Sequence, residues 1–183
     1  MEQTWIIGIA GPSGSGKSRF AKELASELSG CIFSADSYFK PELPTMISPE
    51  DGKPYPDGNS PDSIDYGRLK ADVLKEKEAG THPYLVVEGY LIYAIPDLKE
   101  LFDYRIFVTA RPETCLYRRI VRNMELFGQT AEAIGDYYLK CARHREAEFC
   151  RPTIQEADFV VDNDVSYETD KAACLTSIRE HWG

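Results

Sequence analysis

The chain lacks the patterns that mark zinc proteins, disulfide frameworks and membrane proteins. Its five cysteines are scattered without a CxxC pair, and there are only three histidines, so neither a zinc site nor a disulfide framework is expected. No stretch approaches the roughly 18 apolar residues that a membrane helix needs, and the first residues lack the basic region and apolar core of a signal peptide. We therefore expect a cytoplasmic protein with reduced thiols and no membrane partner.

An excess of basic charge is also missing. The 183 residues contain 21 Lys and Arg against 30 Asp and Glu, which gives a formal net charge of −9. Nucleic-acid binding is not expected, because phosphate backbones require clustered cations. A small phosphate compound can still bind where cations cluster locally. The length and the 43% hydrophobic content fit a single domain over residues 1–183, and homo-oligomer formation is compatible with both.

Short apolar segments alternate with helical patterns along the chain. The predicted strands are residues 4–10, 31–35, 84–90, 104–110 and 157–163. The predicted helices are residues 17–28, 63–79, 112–127, 131–149 and 168–181. This alternation predicts an α/β fold, a three-layer sandwich with a central five-stranded parallel sheet. Residues 41–61, rich in Pro, Gly, Asp and Ser, are predicted to form a long substrate-side loop without regular structure, at about residues 40–62.

The sequence GPSGSGKS directly follows the first predicted strand. It matches G-x-x-x-x-G-K-[ST], the phosphate-binding P-loop, and an amphipathic helix follows it. This context disfavours the alternative of a chance Gly/Ser turn. The Lys17 ammonium is expected to reach the β- and γ-phosphates, and the Ser18 hydroxyl to join a Mg²⁺ shell. The residues predicted to bind the nucleotide here are Gly11, Ser13, Gly14, Ser15, Gly16, Lys17 and Ser18.

Carboxylates stand at or after the ends of predicted strands, where ligands of open α/β sheets bind. Asp36 follows the second strand and either accepts a proton from a substrate hydroxyl or caps a turn. Glu88, near the end of the third strand, is interpreted as a Mg²⁺ ligand, direct or through water, rather than a solvated strand end. Asp62 and Asp65 close the long loop, and each either binds sugar hydroxyls or caps the next helix.

Arginines cluster in two of the predicted helices. Helical spacing places Arg118 and Arg122 on one face and Arg119 a step around it. The second cluster, around Arg143, lies in the sequence KCARHREAEFCR. We interpret the segment of about residues 111–150 as an Arg-rich lid that closes over phosphates. The alternative is that these are ordinary solvated helix faces whose arginines pair with Glu.

These motifs together resemble the uridine kinase family of P-loop nucleoside kinases, which includes nicotinamide riboside kinases and resembles the phosphoribulokinases. The resemblance covers nearly the whole chain. The segments that carry it are GPSGSGKS, ADSYFKP, VVEGYLIY, SPDSID, RRIVRN and GDYYLKCARHREAEFCRPTIQEADFVV. The spacing of Pro-Thr and Ala-Asp in the last segment is more specific than any single arginine.

The resemblance implies ATP and Mg²⁺ as cofactors and transfer of the ATP γ-phosphate to the 5′-hydroxyl of a nucleoside. It assigns the base to Asp36, the Mg²⁺-associated acid to Glu88 and a ribose contact to Asp62. The residues implied at the ATP phosphates or the transferring group are Arg119, Arg122 and Arg143. Asn163 and Val165 are expected near the adenine, and Tyr38 and Tyr90 at the substrate.

The chain departs from the family pattern near the acceptor. Uridine kinases often have Asn-Phe-Asp-His before Pro-Asp, whereas this chain has only NSPD, residues 59–62. The Lys40-Pro41 pair resembles nicotinamide riboside kinases, and Asn123 replaces an acid of the lid. The acceptor is therefore a uridine- or cytidine-like nucleoside, nicotinamide riboside or another small alcohol.

An alternative of another class is a P-loop ATPase switch without a phosphoryl acceptor. A GTPase is disfavoured because the chain has no Asn-Lys-x-Asp guanine motif. A non-catalytic nucleotide-binding module is disfavoured because such a module needs neither Asp36 nor Glu88.

Overall fold

The computed structural model describes residues 3–182. The strands are β1 (Trp5–Ala10), β2 (Cys31–Ser34), β3 (Thr45–Ile47), β4 (Pro54–Pro56), β5 (Tyr84–Gly89), β6 (Tyr104–Thr109) and β7 (Phe159–Asp162). The α-helices are α1 (Lys17–Leu28), α2 (Tyr66–Ala79), α3 (Pro96–Lys99), α4 (Pro112–Phe127), α5 (Ala131–Tyr137), α6 (Arg143–Arg145) and α7 (Tyr167–Trp182). None of the helices in this described range has the length and apolar character required to span a membrane.

Five parallel strands form the central sheet in the order β2-β5-β1-β6-β7. Such a sheet is buried on both faces, which is why its strands are almost continuously apolar. On one face, α1 and α7 pack through Phe20, Leu24 and Ile178, and on the other α2 and α3 pack through Leu69 and Leu98. The predicted three-layer α/β sandwich with a central five-stranded parallel sheet is confirmed.

The long loop has more structure than predicted. Within residues 41–61, β3 and β4 pair antiparallel, and Met46 of this hairpin is buried. The prediction of no regular structure was wrong because Pro54 and Pro56 lie inside β4, and proline is unfavourable within strands. Gly52 at the turn has a φ of 68°, a left-handed conformation that glycine adopts at little cost.

One predicted helix is divided in the structure. In the segment predicted as a helix over residues 131–149, π-helical segments at Tyr138–Ala142 and Glu146–Cys150 follow α5 and α6. The helix predicted within residues 63–79 is α2, which begins at Tyr66 after a 3₁₀ turn at Pro61–Ser63. Its N-cap is Asp65, whose Oδ1 accepts a hydrogen bond from the Arg68 N–H at 2.9 Å. This contact favours the capping interpretation of Asp65 over sugar binding.

Candidate nucleotide and acceptor site

The P-loop joins the central strand β1 to α1, and its glycines lie where a side chain has no room. Gly14 and Gly16 have φ values of 88° and 93°. A Cβ at Gly14 would collide with the Cys115 carbonyl oxygen, and one at Gly16 would collide with the Asn163 side-chain amide. Both positions therefore need glycine for conformation and for space. The loop backbone can then face a phosphate at the start of α1.

Side chains from two other segments hold the P-loop backbone. The Asn163 Nδ2 donates to the Ser15 carbonyl oxygen at 2.6 Å, and Arg118 donates to the Gly14 carbonyl oxygen at 3.4 Å. Asn163, predicted near the adenine, therefore contacts the backbone of the P-loop. Val165, the other residue predicted near the adenine, is 84% exposed.

The buried carboxylate of Glu88 lies between two hydroxyl groups. It is 4% exposed, its Oε2 accepts from the Ser18 Oγ at 3.2 Å, and its Oε1 accepts from the Ser34 Oγ at 2.5 Å. The parallel pairing of β2 with β5 sets Ser34 opposite Glu88. Hard oxygen donors from Ser18 and Glu88 fit Mg²⁺, which takes one or two protein oxygens and completes its shell with phosphate and water.

A cleft of about 400 Å³ opens beside the P-loop, at the carboxyl ends of β1, β2 and β5. Charged and phenolic side chains from separate segments converge on it. Those that line it are Lys17, Asp36, Tyr66, Tyr90, Arg119, Arg122 and Tyr137. The cleft thus has a phosphate-binding motif on one side and a carboxylate with phenols on the other.

Asp36 lies in the 3₁₀ turn directly after β2 and is exposed to the cleft. Among residues 3–182, no group donates a hydrogen bond to its carboxylate. A capping carboxylate would accept a backbone N–H, as Asp65 does. The Asp36 carboxylate is therefore available to a ligand in the cleft.

The predicted lid arginines are placed differently from one another. Arg119 lines the cleft with its Cζ 5.7 Å from the centre of the Tyr137 ring, and burial lowers the pKa of its guanidinium. Arg122 also lines the cleft and donates to the P-loop hydroxyl of Ser13 at 3.4 Å. Arg143 lies outside the cleft lining, because its guanidinium pairs with Glu50 at 2.6 Å.

Two predicted substrate residues also lie outside the cleft lining. The hydroxyl of Tyr38 donates to Asp72 at 2.9 Å, and its ring is covered by the Arg68 guanidinium at 4.9 Å. Asp62 is exposed in the 3₁₀ turn before α2, and the cleft is lined instead by the two residues that follow it, Ser63 and Ile64. Tyr90, in contrast, lines the cleft as expected of a substrate contact.

Other cleft residues were not anticipated from the sequence. Tyr66 lines the cleft, as does Asn59, whose Nδ2 donates to the Tyr137 hydroxyl at 3.2 Å. Tyr137 in turn donates to the Pro56 carbonyl oxygen at 2.9 Å. These contacts join segments about 80 residues apart, so no local motif predicts them. The Tyr137-Tyr138 pair, which lies in a segment that resembles the uridine kinase family, was a partial sequence signal.

Polar contacts tie the β3–β4 hairpin to the helical segment formed by α5 and α6. Asp57 is fully buried, and its Oδ2 accepts from the Arg145 Nε at 2.7 Å. The Ser48 hydroxyl donates to the Lys140 carbonyl oxygen at 2.8 Å. A second cavity of about 230 Å³ lies between the hairpin and α5, and Arg119 lines both this cavity and the cleft.

Comparison with known proteins identifies the family. Residues 53–169 match the model of the phosphoribulokinase / uridine kinase family. The chain belongs to this family. A uridine kinase from Clostridium botulinum strain Okra is 27% identical, with 88% of this chain and 89% of that protein covered. One from Lactobacillus helveticus is 26% identical, with 92% of each chain covered.

Solved structures support the same architecture. The crystal structure of TT1252 from Thermus thermophilus is similar with a TM-score of 0.63, at 18% identity over 99% of both chains. That of a putative fructose transport system kinase from Silicibacter sp. TM1040 has a TM-score of 0.62, at 19% identity over 87% of this chain and 90% of that one. At this identity the likeness concerns the fold. Together with family membership it confirms the predicted P-loop NTPase fold.

Proposed function

We propose that this protein is an ATP-dependent kinase that transfers the γ-phosphate of ATP to the 5′-hydroxyl of a uridine- or cytidine-like nucleoside. The observation that carries the proposal is the convergence of Lys17, Ser18 and Asp36 on one cleft, with the buried Glu88 hydrogen-bonded to Ser18. A phosphate site alone would serve any P-loop protein. A free carboxylate facing that site is what an alcohol acceptor requires.

The nucleotide phosphates bind to the P-loop backbone N–H groups and to the ammonium of Lys17, a residue that is 7% exposed. Ser18 and Glu88 hold Mg²⁺, which neutralises phosphate charge when it is bound. Arg122, which already contacts the P-loop at Ser13, and Arg119 donate to the transferring phosphoryl group. Their fixed positive charges stabilise the negative charge on its oxygens in the transition state.

Asp36 acts as the base. Its carboxylate takes the proton of the acceptor 5′-hydroxyl while the hydroxyl oxygen forms a bond to the γ-phosphorus. The bond from that phosphorus to the β–γ bridging oxygen breaks in the same step, and ADP leaves. Positioning supplies most of the acceleration, because the transition state of phosphoryl transfer is loose.

A nucleobase that extends from the cleft into the second cavity, with which the cleft shares Arg119 and Tyr137, is expected to be neutral rather than the cationic pyridinium ring of nicotinamide riboside. The lining of the second cavity includes the guanidinium of Arg119 and no carboxylate. A cationic ring there would lie beside a like charge without compensation. The Asp36 carboxylate, which accepts no hydrogen bond from the described residues, in turn disfavours the ATPase switch, because a switch needs no base to deprotonate an alcohol.

An acceptor panel with ATP and Mg²⁺ tests this proposal: uridine, cytidine, nicotinamide riboside, ribulose 5-phosphate and pantothenate. The readouts are ADP release and the phosphorylated product by mass spectrometry. We expect uridine or cytidine to be phosphorylated, with turnover lost in Asp36→Asn. ADP release that is equal with and without every acceptor would instead support the ATPase switch.

A further inference from the structure

Two phenol hydroxyls of the cleft are buried without a hydrogen-bond partner among residues 3–182. Tyr66 begins α2 and is 8% exposed, and Tyr90 directly follows β5. Both line the cleft, and each hydroxyl oxygen is shielded from solvent with no partner among the described residues. A buried hydroxyl without a partner is costly to the free protein, and such groups in native structures require an explanation.

Other buried tyrosines of this chain do have partners. The Tyr93 hydroxyl lies 2.7 Å from the Gly8 carbonyl oxygen and 2.8 Å from that of Ile106. The Tyr38 hydroxyl donates to the carboxylate of Asp72. Tyr93 and Tyr38 lie outside the cleft lining. The unpaired hydroxyls of Tyr66 and Tyr90 thus lie at the cleft, where a ligand would bind. The hydrogen-bonded Tyr93 and Tyr38 lie in the hydrophobic core away from the cleft.

The chemistry of the two phenols suits hydrogen bonding to a neutral ligand. Burial raises the pKa of Tyr66, and the negative charge of Asp36 adds to the rise. A phenol group is uncharged at neutral pH, so both hydroxyls can donate to, or accept from, an uncharged oxygen. Tyr66 and the proposed base Asp36 line the same cleft.

We propose that Tyr66 and Tyr90 bind the acceptor through their hydroxyls and determine its specificity. They select an alcohol that carries further hydroxyl groups besides the one that is phosphorylated, as a ribose does. This inference rests on the proposed function, because it takes the cleft beside Asp36 as the acceptor site. It adds Tyr66, which no sequence motif indicated, and explains why the phenols are unpaired in the free protein.

The test compares Tyr66→Phe and Tyr90→Phe with Tyr93→Phe, the matched control whose hydroxyl is already paired. Thermal unfolding without ligand is measured first. We expect the two cleft variants to unfold at or above the wild-type temperature, and Tyr93→Phe to unfold at a lower one. Uridine affinity is then measured by calorimetry with Mg²⁺ and a non-hydrolysable ATP analogue. Each cleft variant should bind uridine about tenfold more weakly, the effect of losing one buried hydrogen bond.

The sugar hydroxyls are tested with 2′-deoxyuridine and 3′-deoxyuridine. The wild type should lose affinity for at least one of them, and one cleft variant should lose less on the same change, because its partner hydroxyl is already gone. Equal losses in all proteins would overturn the assignment. So would unchanged uridine affinity in both variants, or destabilisation as large as that of Tyr93→Phe.

Measuring uridine binding and uridine phosphorylation separately distinguishes failure of this inference from failure of the proposed function. Uridine that binds through the two phenols without being phosphorylated would refute the kinase proposal and leave the binding pair intact. Phosphorylation of uridine with unchanged kinetics in both variants would support the kinase proposal and refute the role of the two phenols. A wild type that does not bind uridine at all would overturn both the proposed acceptor and the assignment of the two phenols to it.

Discussion

The two sides of the cleft are built in different ways. On the nucleotide side, an eight-residue loop supplies backbone N–H groups, and its glycines fit against neighbouring carbonyl and amide groups. On the side proposed to bind the acceptor, contacts between distant segments set the lining. Asn59 and Tyr137, which both line the cleft, are hydrogen-bonded across 78 residues, and Asp57, close to Asn59 in sequence, pairs with Arg145 across 88. The first side is specified locally and the second by the tertiary fold.

Because of this difference, the two sides of the cleft tolerate amino-acid substitution to different extents. Phosphate binding depends on backbone geometry that every P-loop shares, so it tolerates little variation. Acceptor binding depends on side chains that can be exchanged without disturbing the sheet. We therefore expect substitutions on the two sides to affect different kinetic quantities, and the following predictions test that separation.

The largest effect is expected from Lys17→Ala on the nucleotide side. Removing the ammonium leaves phosphate charge uncompensated in the transition state, and kcat/KM for phosphoryl transfer should fall by at least about 1000-fold. The fold should be retained, because the glycines are unchanged and alanine favours the helix α1 that begins at this position. Steady-state kinetics and circular dichroism measure the two quantities. Lys22→Ala, an exposed lysine on the same helix, is the control, and an equal loss there would contradict the role of Lys17.

Asp36→Asn, at the boundary of the two sides, should lower kcat by about 1000-fold, because an amide cannot take the acceptor proton. ATP affinity, measured by calorimetry, should stay within about twofold of the wild type. Asp62→Asn is the matched control, an exposed carboxylate outside the cleft lining. A kcat loss in Asp62→Asn comparable to that of Asp36→Asn would restore the ribose role predicted for Asp62.

Asp57→Asn should affect stability and the acceptor side. Asp57 is fully buried, whereas the Arg145 side chain is 23% exposed and keeps some water. The free energy of unfolding in urea should fall by about 2 kcal/mol, the range for a lost hydrogen bond between charged groups. Acceptor KM should rise while ATP affinity is unchanged. Glu148→Gln removes the exposed partner of Arg145 and should cost little. Weaker ATP binding in Asp57→Asn would show that the two sides are not separate.

Features that short sequence segments specify could be predicted from the sequence, and features that depend on tertiary packing could not. The P-loop, the five strands and the carboxylates Asp36 and Glu88 were predictable, because each belongs to a short segment with its own periodicity or motif. The β3–β4 hairpin was not, since its prolines argue against a strand. Tyr66 and Tyr137 were not predicted in the cleft either, because their positions depend on how α2 and the lid helix pack. The position of Tyr38 against Asp72 depends on packing in the same way.

The smallest effect is expected from Arg143→Ala, compared with Arg119→Ala. The sequence placed both arginines at the phosphates, but only Arg119 lines the cleft, while Arg143 pairs with Glu50 on the exposed surface of the hairpin. Arg119→Ala should lower kcat about tenfold or more through lost charge stabilisation. Arg143→Ala should change kcat by about twofold at most, because an exposed ion pair contributes little. Glu50→Gln breaks the same pair and should match it. If Arg143→Ala lowers kcat as much as Arg119→Ala while Glu50→Gln does not, Arg143 leaves Glu50 for the phosphates during turnover, and the lid would close by exchanging one anionic partner for another.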